Sequence, residues 1–142
     1  MKAIGGAAAV LPVPAMAQAK PVIGFLSAVS PGPFAQRIAA FHKGLAEAGY
    51  EDGRNLTIES RWAEEKYDRL PALAAELVSR PVDLLVTYTD AAALAAKKAT
   101  TTIPIVFING ADPVRAGIVS SLGRPGGNIT GCLLYTSPSP RD

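Results

Sequence analysis

Apolar and polar positions along the chain follow two patterns, which alternate from residue 21 onward. Short apolar runs, bounded by Gly, Pro or Ser, are typical of buried strands in a parallel sheet. A weaker run alternates between apolar and polar positions, as a half-buried strand does. The patterns predict five strands: Val22–Leu26, Asn55–Ser60, Val82–Thr87, Ile103–Ile108 and a last one that begins at Ile129.

Between these runs, apolar residues return every three or four positions, which is the spacing of one helix face. The first such stretch runs from Phe34 to Leu45, and Gly49 follows it at the position of a C-terminal cap. A second helix is predicted over Tyr67–Ser79. A third runs from Asp90, its predicted N-cap, to Ala99. A fourth helix, or a turn followed by a helix, is predicted over Val114–Leu122.

The alternation of strands and helices predicts an α/β fold with a doubly wound parallel sheet. We expect the strand order 2-1-3-4-5 of the flavodoxin-like version of this fold. In such sheets a ligand lies beyond the carboxyl ends of the strands. The rule selects three loops: Ser27–Pro33, Tyr88–Asp90 and Asn109–Pro113.

Small polar groups in these loops are the candidate ligand-binding residues, because hydroxyls and helix N-termini hold polar or carboxylate ligands. The six candidates are Ser27, Tyr88, Thr89, Asp90, Asn109 and Asp112. Each has a structural alternative: Ser27 closes a turn, and Asp90 and Asp112 act only as N-caps. For Trp62, the single tryptophan, two roles are open: stacking on a ligand or packing a loop onto the domain.

The composition and the absence of several motifs argue against some classes of function. The 142 residues carry a net charge of +2 without a basic run, which argues against nucleic-acid binding. One Cys and one His exclude an internal disulfide and zinc sites built from Cys and His clusters. The sequence lacks a Gly-rich dinucleotide turn, a nucleotide-binding Gly-Lys-Ser/Thr loop and a hydrolase elbow. We therefore expect neither a cofactor nor a metal, and no catalytic residue.

Residues 1–19 have the pattern of a secretory signal peptide. Lys2 precedes an apolar stretch that ends in small-x-small cleavage sites, Ala15-Met16-Ala17 and Ala17-Gln18-Ala19. The pattern predicts export to the periplasm. No apolar run reaches the roughly 20 residues that a transmembrane helix needs.

Several stretches together resemble one family, the ABC transporter substrate-binding proteins that include binders of tryptophan and other aromatic amino acids. The matching stretches are Pro21–Ser27, Phe41–Tyr50, Arg61–Glu64, Tyr67–Leu77, Thr102–Phe107, Asp112–Val114 and Arg124–Gly131. The resemblance implies the type I periplasmic binding protein fold, in which two lobes close on a small solute. It implies a membrane permease as partner, a monomer, and ligand contacts from the loops selected above.

The resemblance stops at Gly131, so residues 20–131 are expected to form the N-terminal lobe. Residues 132–142 match nothing in the family and are expected to be a non-native tail. A lobe without its partner would bind solute weakly and leave apolar surface open to solvent.

The first functional hypothesis is therefore the extracytoplasmic solute-binding component of an ABC importer, whose solute is an aromatic amino acid or another small molecule. A second is the ligand-binding sensory module of a receptor or regulator, because the same fold serves there. A third is an enzyme on a flavodoxin-like sheet. It is the weakest, because no histidine lies near Ser27, Asp90 or Asp112 in the sequence.

Overall fold

A computed structural model describes residues 20–80, 82–110, 112–121 and 126–133. The predicted signal peptide, residues 1–19, lies outside the described residues, and so do residues 134–142 of the predicted tail; the first two residues of that tail, 132 and 133, lie in the last strand. Within the described ranges, no helix is both long and apolar enough to cross a bilayer.

Within these ranges, five parallel strands form one sheet in the order β2-β1-β3-β4-β5, which confirms the predicted α/β class and strand order. The strands are β1 (Val22–Ser27), β2 (Thr57–Trp62), β3 (Leu84–Tyr88), β4 (Ile105–Asn109) and β5 (Ile129–Leu133). The register pairs Ser27 with both Trp62 and Tyr88. The carboxyl ends of the three strands therefore lie side by side.

In the described part of the chain, three helices accompany the sheet: α1 (Ala35–Glu47), α2 (Leu70–Ser79) and α3 (Asp90–Ala99). Short 3-10 turns precede α1 at Gly32–Phe34 and α2 at Tyr67–Arg69. Pro71 lies in the first turn of α2, where its missing N–H costs no helical hydrogen bond. The first three predicted helices are confirmed in position, with the second beginning later than Tyr67.

The main core lies on the face of the sheet that α2 and α3 cover. Each helix fully buries a stripe of small or branched residues against the strands: Leu70, Ala74 and Leu77 from α2, and Ala92, Ala93 and Ala96 from α3. Gly24 in β1 permits close contact here, since a Cβ at this position would lie 2.9 Å from Leu85 Cδ2. The alanine-rich composition thus serves close helix-to-sheet packing.

The opposite face is covered less completely. Helix α1 has no fully buried residue. Its Phe41 and Leu45 are only half-buried, against a cluster that includes Phe25 and Val86. The sheet is thus packed tightly on one side and loosely on the other.

The predicted helix over Val114–Leu122 is wrong for the residues described. Residues 113–117 form turns instead, with one helix-like hydrogen bond from Ala116 N to the Asp112 carbonyl. Gly117 then adopts a φ of 80°, a left-handed conformation that ends a right-handed turn. Over residues 112–121, the connection from β4 to β5 therefore contains turns and no helix.

An ion-pair network covers the outer edge at β2. Arg61 contacts Glu76 of α2 and Glu59 of its own strand, and Arg80 contacts Glu59 at 2.9 Å. The hydrogen bond and charge of Arg61 lower the pKa of Glu76 below its ordinary value of 4.5. Charged side chains on an edge strand also discourage pairing with another sheet.

Candidate functional site

A cavity of about 420 Å³ opens at the carboxyl ends of β3 and β4. It is lined by Tyr67, Tyr88, Thr89, Asp90, Ala91, Ile108, Asn109 and Gly110. Four of the six predicted ligand-binding residues, Tyr88, Thr89, Asp90 and Asn109, thus lie around one cavity. Its position is the one at which doubly wound sheets bind ligands.

Thr89 joins β3 to α3 with an unusual backbone. Its φ of 92° and ψ of 155° lie in a region that only glycine adopts without strain. Its hydroxyl accepts a hydrogen bond from Ala92 N at 3.3 Å, so Thr89 is the N-cap of α3. The prediction that Asp90 caps this helix is therefore wrong by one residue. The Thr89 hydroxyl, one residue earlier, accepts the hydrogen bond from the Ala92 amide.

Asp90 is the first residue of α3 and is half-buried at the cavity. Its carboxylate lies at the positive end of the helix dipole, where a negative charge is favourable. Asp90 is also the one charged residue among those that line the cavity in the described part of the chain. The cavity is therefore suited to a ligand that carries a positive group.

Two predicted residues are not among the described residues that line this cavity. Ser27 is fully buried at the end of β1, and its hydroxyl accepts a hydrogen bond from Val29 N at 3.3 Å. Asp112 is exposed, and its Oδ1 accepts hydrogen bonds from Val114 N at 2.9 Å and Arg115 N at 3.4 Å. Ser27 thus makes the turn contact that was its structural alternative. Asp112 makes turn contacts but caps no helix, because residues 113–117 form turns.

Tyr67 lines the cavity, and the sequence reasoning missed it. It begins the turn before α2 and is 58% exposed, the most exposed large hydrophobic residue described. The loop after β2 begins at the carboxyl edge of the sheet, as the three loops selected from the sequence do. The rule that ligands bind at this edge would therefore also have selected the loop that contains Tyr67. Tyr67 and Tyr88 give the cavity two aromatic rings.

A second, apolar cavity of about 290 Å³ lies between α1 and the loosely covered face of the sheet. Trp62 lines it and packs on Phe25, with ring centroids 5.3 Å apart. Of the two roles open for Trp62, the structure therefore shows the packing contact. Phe34 packs edge-on against Tyr88 at 4.6 Å, and Tyr88 lines both cavities.

Across the described ranges, no three His, Cys, Asp or Glu side chains are gathered as a metal ion would require.

Comparison with known proteins identifies the family. Residues 23–133 match the family described as ABC transporter substrate binding protein. A tyrosine-binding protein of Clostridioides difficile is 39% identical over 97 residues, which are 68% of this chain and 28% of that protein.

Solved structures agree in fold. The ligand-free, open structure of a substrate-binding protein with adhesive properties from Clostridium difficile has a TM-score of 0.76 and 31% identity, over 82% of this chain and 40% of its own. An ABC domain from Streptococcus pneumonia in complex with L-Trp has a TM-score of 0.73 and 31% identity, over 80% of this chain and 38% of its own.

The chain thus spans 28% of the curated relative and about two fifths of the solved chains. The family match nevertheless extends from the second residue of β1 to the last residue of β5. The chain therefore belongs to the ABC transporter substrate-binding protein family.

Proposed function

We propose that this chain contributes the first lobe of a two-lobed protein that captures a small solute for an ABC importer. The observation that carries the proposal is the cavity at the carboxyl ends of β3 and β4, in a chain of a substrate-binding family. The lobe supplies one wall of the cleft, and a hinge motion brings the second wall onto the solute. The solute is released unchanged, so the chain carries out no catalysis.

The cavity chemistry favours an amino acid with an aromatic side chain. The Asp90 carboxylate pairs with the ammonium group, and Tyr67 and Tyr88 offer rings for stacking. The names of the relatives agree with this class of solute, since one is a tyrosine-binding protein and another was solved with L-Trp.

The remaining parts of the proposal rest on the sequence pattern and on the family. Residues 1–19 direct export to the periplasm, and residues 20–131, with the rest of β5 as far as Leu133, form the lobe. The protein acts as a monomer and delivers its solute to a membrane permease. It does not engage nucleic acid, in agreement with its small net charge of +2.

The Asp90 carboxylate provides a test of the proposal. In the full-length protein, Asp90→Asn removes the charge that pairs with the ammonium group while keeping the shape of the side chain. We expect the dissociation constant for L-tyrosine to rise about 10- to 100-fold, because a hydrogen bond to a charged group contributes about 1.5–3 kcal/mol. Isothermal titration calorimetry measures the change.

Asp112→Asn is the matched control, because Asp112 is exposed and is not among the described residues that line the cavity. Its affinity should stay within about twofold of wild type, since exposed substitutions away from a site have small effects. Equal losses in both variants would contradict the proposed role of Asp90.

A further inference from the structure

We propose that Glu65 is a positioning residue, which holds the loop after β2 in the conformation that presents Tyr67 to the solute. The inference rests on the proposed function, because it requires a solute in the cavity at β3 and β4. Three features carry it: an unfavourable backbone at Glu64 and Glu65, a carboxylate contact to the loop after β1, and the exposure of Tyr67.

The backbone after β2 adopts a conformation that it would not keep in isolation. Glu64 has a φ of 55° and Glu65 a φ of 65°, two successive residues in the left-handed region. Residues with a Cβ are unfavourable there. Such a conformation persists only where surrounding contacts hold it, and it is found most often at functional sites.

The contacts that hold it come from Glu65. Its Oε2 accepts a hydrogen bond from Ser30 N at 2.9 Å, and its Oε1 accepts one from Ser30 Oγ at 2.7 Å. Its own amide donates to the Ala28 carbonyl at 2.7 Å. Hydrogen bonds to a carboxylate are stronger than those between neutral groups. Glu65 therefore fastens the loop after β2 to the loop after β1.

Each of the two loops leads to an aromatic residue beside the cavity. Tyr67 follows Glu65 by two residues and lines the cavity with 58% of its surface exposed. The loop after β1 leads to Phe34, whose ring lies 4.6 Å from that of Tyr88, another lining residue. A contact between these loops thus fixes the rings relative to each other before the solute arrives.

Such preorganisation affects the measured affinity. The apparent dissociation constant equals the intrinsic one divided by the fraction of molecules in the binding-competent conformation. If loss of the Glu65 contacts lowers that fraction to about one tenth, the apparent dissociation constant rises about tenfold.

The experiment titrates L-tyrosine and L-tryptophan into the full-length protein and its variants. Glu65→Ala removes both side-chain contacts to Ser30 and should weaken binding about tenfold. Glu65→Gln keeps an acceptor for Ser30 N and an amide that can donate to Ser30 Oγ, so it should restore affinity to within about threefold. The midpoint of thermal unfolding, measured in parallel, identifies any variant that loses its fold.

Glu64→Ala is the matched control. Glu64 is the same residue type with a similar backbone, but its carboxylate contacts only the exposed Arg69 at 3.4 Å among the contacts described for it. Exposed pairs of this kind contribute little, so its affinity should stay within about twofold of wild type.

A second pair of variants tests whether Glu65 acts through Tyr67. If it does, Glu65→Ala should have little further effect in a Tyr67→Ala background, because effects that share one route are not additive. Full additivity would overturn the inference, as would wild-type affinity in Glu65→Ala.

If wild type binds neither amino acid, the proposed function fails, and the inference fails with it. If wild type binds an amino acid and Glu65→Ala binds it with the same affinity, the inference is contradicted and the proposed function is not.

Discussion

At the scale of single residues, the backbone conformation of Thr89 is the clearest sign that the cavity is a functional site. A β-branched residue at a φ of 92° is a backbone outlier, and here it lies directly between β3 and α3. Strained residues of this kind cluster at ligand-binding sites, where the surrounding fold keeps them in place. The strain therefore supports the site independently of the family comparison.

Two substitutions of Thr89 measure the cost of its backbone strain and the contribution of its capping hydrogen bond separately. Thr89→Gly should stabilise the protein by about 1 kcal/mol, because relief of about 1–3 kcal/mol of strain exceeds the small loss of the cap. Thr89→Ala keeps the strain and loses the hydrogen bond to Ala92 N, so it should destabilise by about 1 kcal/mol. Urea unfolding measures both, and destabilisation by the glycine variant would contradict the assigned strain.

Glu76 gives a prediction about pH. Because Arg61 lowers the folded-state pKa of Glu76 below 4.5, this carboxylate binds its proton less readily in the folded than in the unfolded protein. Its contribution to stability is therefore present above the unfolded-state pKa and is lost as the pH falls through the folded-state value. Unfolding free energies measured from about pH 6 to about pH 3 should fall more steeply in wild type than in Glu76→Gln.

The control for this prediction is Glu47→Gln, at the exposed end of α1. The unfolding free energy of Glu47→Gln should fall with pH as steeply as that of wild type. Parallel curves for wild type and Glu76→Gln would rule out the Arg61 contact as a source of acid sensitivity.

At the scale of elements, the helices differ in how firmly they are held. Helix α1 has no fully buried residue, whereas α3 buries Ala92, Ala93 and Ala96. Local opening costs less where few apolar contacts are lost. We expect amides in the middle of α1 to exchange with solvent at least about tenfold faster than those of α3, measured by mass spectrometry on the full-length protein. Equal protection would show that α1 is covered by more than the contacts of Phe41 and Leu45 with the sheet.

Most elements could be predicted because their patterns are local. The apolar runs and the helical spacing depend on residues near each other in sequence, and they placed all five strands and three helices. The prediction of a fourth helix is wrong, because apolar positions at helical spacing do not reveal that Gly117 adopts a positive φ. The cap of α3 was misplaced for a similar reason, since Thr89 and Asp90 are both good caps in sequence.

At the scale of the whole molecule, topology decided which residues could meet. The strand order brought Tyr88, Thr89, Asp90 and Asn109 to one cavity, as the carboxyl-edge rule predicts. Sequence alone could not show that Ser27 and Asp112 make turn contacts of their own, or that Tyr67 faces the same cavity. Those outcomes depend on side-chain direction and on contacts between distant loops.

If the cavity at β3 and β4 forms one wall of a solute-binding cleft, a crystal structure of the full-length protein grown with L-tyrosine will show the solute there. We expect the amino acid between two lobes, with its ammonium group within hydrogen-bond distance of the Asp90 carboxylate and its ring against Tyr67 or Tyr88. An amino acid bound in the cleft without contact to any of these three residues would contradict it.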